Sequence, residues 1–311
     1  MIRKRMIICL GFVLVGWVGA YLLLRTYSQH MEGTEYDFSL PEEFARLQPM
    51  FAKPGPPQPG EWLAKHLERG QTYQEYLHSV FRQSVPPGSV IYVQPLGNFS
   101  PEQKEILEQA ADYIGDYFAL SVQMCDSLPL SSIPDSMRRQ RDSELGEQLQ
   151  TYYLIDNVLK PQKPKDAYIV MGFIASDIWP GGEWNFVYGQ ANETERIAIC
   201  SLARICSAKS LSEDRGLCLR RTLKTSTHEI CHLFAMMPCP WYICNAAGYN
   251  NMAEMDRHPL ELCPQCLAKI CSTTGADPAQ RFEKLGIFYN KNGLDEERIF
   301  CDKLLAALQG R

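Results

Sequence analysis

The stretch His228-Glu-Ile-Cys-His-Leu-Phe-Ala-Met-Met-Pro-Cys239 is the most informative part of the sequence. Two histidines four residues apart on a helix lie on one face, so both imidazoles can reach one metal ion. Glu229 lies beside them, where a carboxylate can take a proton from a metal-bound water and deliver it to a leaving amine. The alternative is an exposed helix that carries these residues by chance. The pattern favours a metal-binding helix with His228 and His232 as ligands and Glu229 as the base.

Four cysteines follow this helix in two pairs. Cys239 and Cys244 are separated by four residues, and Cys263-Pro-Gln-Cys266 comes after eighteen more. Thiolates in this arrangement suit a closed tetrahedral zinc site, which stabilises a segment too irregular to pack alone. The alternatives are four unrelated buried cysteines, or disulfides if the domain lies in an oxidising compartment. The spacing favours zinc held by Cys239, Cys244, Cys263 and Cys266.

The combined pattern resembles the archaemetzincins. Their motif reads His-Glu-x-x-His-x-x-Gly-x-x-His-Cys, then four residues, Cys-x-Met, a long spacer and Cys-x-x-Cys. The likeness spans roughly residues 85–270 and includes Asp166-Ala-Tyr168 and the stretches 184–191 and 257–263. It implies a zinc metallopeptidase that hydrolyses peptide bonds in peptide or protein substrates, with a zinc-bound water as nucleophile.

By this resemblance, His228 and His232 bind the catalytic zinc and the four cysteines bind a structural zinc. Three positions depart from the family pattern, all on the catalytic side. The third histidine ligand is replaced by Pro238, whose tertiary amide nitrogen cannot bind a metal. The glycine of the turn is Ala235, and the methionine beneath the metal is Ala246.

These departures leave two hypotheses. The first is a membrane-anchored zinc peptidase, weak because its third histidine ligand is missing. The second is a catalytically inactive relative with only the structural zinc, which binds a peptide or a partner protein. Glu254, Asp256 and His258 are chemically able to replace the third ligand, although ordinary surface charge explains them as well.

The surrounding sequence predicts an α/β fold. Ser100-Pro101-Glu102-Gln103 is a helix-capping signature followed by an amphipathic pattern to Phe118. Other elements are expected from composition: a polar helix at 61–82, strands at 89–94, 167–173, 184–191 and 196–200, and a loop or exposed helix over 126–150. Together with the resemblance, this predicts a metzincin-like single sheet with an active-site helix and a small Cys-rich, zinc-bound C-terminal part.

The amino terminus predicts a transmembrane helix. Residues 6–24 are 19 uncharged positions preceded by Arg3, Lys4 and Arg5, which is close to the length that crosses a bilayer and places the tip in the cytoplasm. We therefore expect residues 1–25 to be a signal anchor with the domain lumenal or extracellular. A cleaved signal peptide, and thus a secreted protein, or a cytoplasm-facing anchor are the alternatives.

Two further expectations concern domain organisation and partners. The Pro/Gly-rich segment 26–60 is predicted to be a spacer, and residues 61–311 to form the archaemetzincin-like domain. The chain has 31 basic and 36 acidic residues, and its formal net charge is −5. Such a balance lacks the basic face that nucleic acid requires, so nucleic acid is excluded as a partner.

Overall fold

A computed structural model of the protein describes residues 36–142 and 145–311. The predicted anchor at residues 6–24 lies outside these ranges. Within them, no helix has the length and apolar character needed to cross a membrane. Membrane attachment therefore stays a prediction from sequence.

The described residues form a mixed α/β fold. The strands are β1 (Val90–Leu96), β2 (Ser121–Met124), β3 (Arg138–Asp142), β4 (Gly146–Gln150), β5 (Ala167–Ile174), β6 (Asp177–Trp179), β7 (Gly189–Asn192) and β8 (Ile197–Ser201). The helices are α1 (Glu42–Ala45), α2 (Trp62–Lys65), α3 (Tyr73–Leu77), α4 (Pro101–Phe118), α5 (Thr151–Tyr153), α6 (Ala208–Glu213), α7 (Arg215–Leu233), α8 (Met252–Arg257), α9 (Pro264–Thr274), α10 (Pro278–Lys291) and α11 (Asp295–Leu308).

The main sheet has the strand order β2-β1-β5-β8-β7. Strands β2, β1, β5 and β8 are parallel, and β7 pairs antiparallel with β8 at the edge. The predicted strand over 184–191 is shorter than expected, because only Gly189–Asn192 joins this ladder. Helices α4 and α7 pack against each other, and α7 also packs on β7 and β8. The active-site helix therefore lies directly against the antiparallel edge of the sheet.

The prediction of a single sheet was wrong, because β3, β4 and β6 form a second, three-stranded sheet. It comes largely from the region expected to be a loop or exposed helix. Strands β3 and β4 are too polar to show an apolar pattern, and β6 has only three residues. Cross-strand pairs stabilise them instead: Arg138 forms an ion pair of 2.6 Å with Glu147, and the Arg139 Nε atom donates to Gln148 at 2.7 Å.

Helix α4 confirms the capping prediction. The Ser100 hydroxyl accepts from the Gln103 amide, and the Gln103 side chain accepts from the Ser100 amide. The apolar side of α4 is buried in the core.

The prediction of one helix over residues 61–82 was wrong. Gly70, with φ of +71°, lies between α2 and α3, and a left-handed residue cannot continue a helix.

The segment expected to be a spacer contributes to the core where the structure describes it. Phe44, Leu47 and Phe51 are buried in the same apolar cluster as α4 and α7. The boundary at residue 60 stays a prediction, but the packed part of the chain begins before it. Phe44, Leu47 and Phe51 are three and four residues apart, as on a helix, but Pro49 and Pro54 interrupt this short run, and the composition therefore suggested a spacer.

Candidate active site and cysteine cluster

Helix α7 places His228 and His232 one turn apart, with their Nε2 atoms separated by 3.1 Å. The Nδ1 atom of His228 donates to the Asn245 carbonyl at 2.8 Å, and that of His232 donates to the Met236 carbonyl at 2.9 Å. Because a carbonyl oxygen can only accept, each Nδ1 atom carries the ring proton. When both rings are neutral, their Nε2 atoms present lone pairs to the same point. Burial and the neighbouring imidazole also lower the pKa of His228 to about 3.

Two lone pairs that face each other repel unless a cation lies between them. Two nitrogens bound to a tetrahedral zinc at about 2.0–2.1 Å would be separated by about 3.3 Å. The 3.1 Å between His228 and His232 is close to that distance. The pair therefore fits two ligands of one metal ion.

Glu229 is buried beside the histidines, against strand β7. A Cβ atom at Gly189 would lie 2.6 Å from the Glu229 Cγ atom and 2.7 Å from its Oε1 atom, so only glycine leaves room for this carboxylate. Burial raises the pKa of Glu229 to about 8. The side chain is therefore a better proton acceptor than an exposed carboxylate, as a general base requires.

The chain turns sharply directly after α7. Ala235 has φ of 59°, in the left-handed region, and the Met236 amide donates to the Cys231 carbonyl at 3.2 Å. This turn brings Pro238 to the wall of the cleft that contains both histidines.

The three downstream candidates for the third ligand do not line the cleft that contains His228 and His232. Glu254 accepts from the Trp62 amide at 2.9 and 3.1 Å, and Asp256 pairs with Arg221 at 2.6 Å. His258 lines a smaller cavity beside the cysteine cluster. None of the three joins the histidine pair in the described part of the chain.

The four cysteines come together as the spacing predicted. Within the described residues they form the only group of three or more potential ligands close enough to share a metal, with all sulfurs within 4.8 Å of one another. The Sγ atoms of Cys239 and Cys263 are 3.7 Å apart. Ligands at about 2.3 Å from a tetrahedral zinc would be about 3.8 Å apart, whereas a disulfide requires about 2.05 Å. The amide of Cys263 also donates to the Cys244 sulfur at 3.2 Å. This cluster fits a structural zinc.

The cysteine cluster and the histidine pair share one loop. Asn245, whose carbonyl orients His228, follows Cys244 directly, and its side chain donates to Thr227 at 2.7 Å. The Cys239 amide donates to the Ala246 carbonyl at 2.9 Å. Sequence patterns missed Asn245 and Met236 because both act through backbone carbonyls. The only sequence feature that could have indicated either residue is the position of Asn245 directly after Cys244.

The site opens into a cleft of about 660 Å³. His228, Glu229, His232 and Pro238 line it together with several aromatic side chains that were not predicted as site residues. These are Trp62, His66, Trp184, Phe186, Tyr188 and Tyr249. The volume lies in the range of ligand-binding pockets in general.

This arrangement, a His-Glu-x-x-His helix that faces a cleft beside the edge strand of a mixed sheet, is that of zinc metallopeptidases. The model of peptidase family M54 matches residues 168–272. Archaemetzincin-2 of Pongo abelii is 30% identical over 258 residues, which cover 73% of this chain and 71% of that protein. Archaemetzincin-2 of Homo sapiens is also 30% identical, with the same coverage. The crystal structure of archaemetzincin from Methanopyrus kandleri superposes with a TM-score of 0.49 and 22% identity, covering 61% of this chain and 98% of that one. The chain belongs to the archaemetzincin family.

Proposed function

We propose that this archaemetzincin hydrolyses peptide bonds and does so slowly. The observation that carries the proposal is the pair of Nε2 atoms of His228 and His232, 3.1 Å apart, beside the buried Glu229 in an open cleft. A zinc ion held there supplies Lewis-acid activation of water and of the scissile carbonyl. Glu229 accepts the proton of the attacking water and delivers it to the leaving amine.

Slow turnover follows from the ligand count. A catalytic zinc normally has three protein ligands and an open position for water. In this chain, the loss of the histidine at Pro238 leaves two ligands on α7. Lower metal affinity then limits the fraction of active molecules.

A second candidate function is a catalytically inactive relative that keeps only the cysteine-bound zinc and binds a peptide or a partner protein. It is favoured by the contrast between the two sites. Within the described residues the cysteine cluster has four ligand atoms close enough to share a metal, whereas no third His, Cys, Asp or Glu forms such a group with His228 and His232. The cleft is open in both cases.

Zinc analysis combined with a peptidase assay distinguishes the slow peptidase from the inactive relative. If the chain is an enzyme, the parent binds about two zinc ions when Zn²⁺ is supplied in excess, and it cleaves peptides. Glu229→Gln should then keep both ions and lose about 10²–10⁴-fold in rate, because it removes only the base. Glu283→Gln, an exposed change on α10, is the matched control. One zinc in the parent, and no cleavage that depends on Glu229, would instead establish the inactive relative.

We also propose that residues 6–24 anchor the protein in a membrane as a single-pass segment with the domain lumenal or extracellular. The proposal is supported by the apolar run and the basic cluster before it.

A further inference from the structure

A continuous series of aromatic rings runs along the cleft and ends at the histidine pair. The ring centroid of Tyr249 lies 5.4 Å from that of His228, and the centroid of Tyr188 lies 5.9 Å from that of Tyr249. Phe186 meets Tyr188 edge to face at 5.3 Å. These separations are those of interacting aromatic pairs, and all four residues line the cleft. A peptide that reaches the histidines therefore lies beside apolar ring surface.

Phe186, at the outer end of this series, is backed by an ion pair. The guanidinium carbon of Arg204 lies 3.7 Å from the centre of the Phe186 ring. Arg204 in turn donates to both carboxylate oxygens of Asp177, at 3.0 and 2.7 Å, and Asp177 is buried. Two parallel bonds of this kind fix the plane of a guanidinium group, so the surface on which the Phe186 ring stacks is itself fixed.

The second sheet holds the backbone beside Phe186. The Gln148 side chain on β4 donates to the Asn185 carbonyl at 3.1 Å, and Arg139 on β3 donates to the same carbonyl at 2.8 Å. The Val187 amide donates to a carbonyl of β6 at 3.1 Å. Side chains supported by regular elements are positioned more precisely than side chains on free loops. The sheet formed by β3, β4 and β6 thus fixes this wall of the cleft.

The wall offers apolar surface without a net charge. The charge of Arg204 is paired with Asp177 behind the Phe186 ring. The cleft lining also includes Lys65 and Glu183, which are exposed and of opposite sign. A charged substrate side chain placed against the ring would lose hydration without gaining a partner. An aromatic side chain instead gains a ring-to-ring contact in addition to the burial of its apolar surface.

We propose that Phe186 selects peptides with an aromatic side chain, and that Arg204 is the positioning residue that keeps the Phe186 ring at the cleft wall. This preference rests on the proposed function, because a peptide must occupy the cleft, as it does in both the slow peptidase and the inactive relative. The substrate or ligand class is therefore peptides that contain phenylalanine, tyrosine or tryptophan.

The test measures peptide binding and cleavage by the full chain with Zn²⁺ supplied in excess. The probes are short blocked glycine peptides that differ only in one central residue, which is phenylalanine, alanine, lysine or glutamate. Tryptophan fluorescence reports binding, since Trp62 and Trp184 line the cleft, and chromatography reports cleavage. We expect the parent to prefer the phenylalanine peptide over the other three by at least about 10-fold in Kd, and in kcat/KM if it cleaves them.

Three variants and a control locate the source of this preference. Phe186→Ala should reduce it to about 3-fold or less, whereas Phe186→Tyr keeps the ring and should retain it. Arg204→Lys keeps a charge partner for Asp177 but removes the flat group behind the ring, so it should weaken the preference at unchanged zinc content. Phe81→Ala, which removes a ring that is 76% exposed and outside the cleft lining, should match the parent.

The outcomes separate the selection from the proposed function. If the parent has no preference, or Phe186→Ala keeps it, the selection is overturned, and cleavage that depends on Glu229 would still establish the peptidase. If Arg204→Lys weakens the binding of all four peptides equally, Arg204 is not a positioning residue. Selective binding without cleavage supports the selection in an inactive relative. A parent that neither binds nor cleaves any of the peptides overturns both proposals.

Discussion

Ala235 occupies a backbone conformation that the family pattern reserves for glycine. Its φ of 59° lies in the left-handed region, where the Cβ atom of an L-residue is crowded. The turn forms in spite of this, since the amides of Ala235 and Met236 both bond to carbonyls of the last turn of α7. The strain is a local property of this residue and can be relieved by one substitution.

Ala235→Gly should therefore stabilise the domain. Removing the Cβ atom relieves about 1–2 kcal/mol of strain, and the greater freedom of glycine in the unfolded chain offsets about half of it. We expect a net gain of about 0.5–1 kcal/mol in the free energy of unfolding, measured by urea denaturation. Ala253→Gly, at an exposed position in α8, is the control and should lose a similar amount. Equal losses in both variants would show that Ala235 is unstrained.

At the scale of elements, the loop that contains Asn245 couples the two proposed metal sites. Cys244 and Ala246 are held by the cysteine cluster, and the carbonyl of Asn245 between them orients His228. Disturbing the cluster should therefore also disturb the histidine pair. The reverse does not hold, because removal of an imidazole leaves all four sulfurs in place.

This asymmetry can be measured with Cys244→Ser. We expect the variant to lose the cysteine-bound zinc, to melt at a much lower temperature and to bind the second zinc more weakly as well. His228→Ala should lose only the second zinc and retain most of the stability. Cys125→Ser, outside the cluster, should match the parent in zinc content. A Cys244→Ser protein that melts like the parent, from a parent without bound zinc, would refute the thiolate site.

At the scale of the whole molecule, a buried ion pair joins the C-terminal helices to the region of the site. Arg281 on α10 pairs with Glu261 at 2.8 Å, and the Arg281 Nε atom donates to the Tyr117 carbonyl on α4. The carbonyl of Glu261 in turn accepts from the Asn245 amide at 3.2 Å. The pair thus supports the loop that contains Asn245, whose carbonyl orients His228.

Arg281→Met should destabilise the domain by about 3–5 kcal/mol, because it leaves the carboxylate of Glu261 buried without its charge partner. Chemical denaturation measures this directly. Arg298→Met, which removes an exposed ion pair with Asp302, is the control and should change stability by no more than about 1 kcal/mol. Similar small effects in both variants would show that the buried pair is not a structural support.

Membrane topology is also a property of the whole chain. If the domain lies across the membrane, Asn98-Phe-Ser100 and Asn192-Glu-Thr194 become acceptors for N-linked glycans. Asn98 is exposed just before α4, which makes it accessible. The protein expressed in cells should shift in mobility on glycosidase treatment, and Asn98→Gln with Asn192→Gln should remove the shift. Cytosolic-side protease digestion of the domain in sealed vesicles, without any glycan, would establish the cytoplasm-facing alternative.

The sequence by itself determined the features that depend on local spacing. The interval between His228 and His232 places two imidazoles on one helix face, and the cysteine spacing predicted a cluster that the structure brings together. The cap at Ser100 is likewise a contact between residues three apart. Such spacings can be recognised from the sequence alone, because helix geometry fixes the distances between residues three or four positions apart.

The surroundings of these residues depend on contacts between distant parts of the chain. The Asn245 carbonyl orients His228, Glu254 holds the segment of Trp62 from 192 residues away along the chain, and β7 makes room for Glu229 at Gly189. These contacts use backbone groups, or join positions far apart in sequence, so no periodic pattern marks them. They form when distant elements pack against each other, because polar groups that become buried must then form hydrogen bonds. The buried carboxylate of Glu229 also needs space, which depends on the residue that the neighbouring strand places beside it.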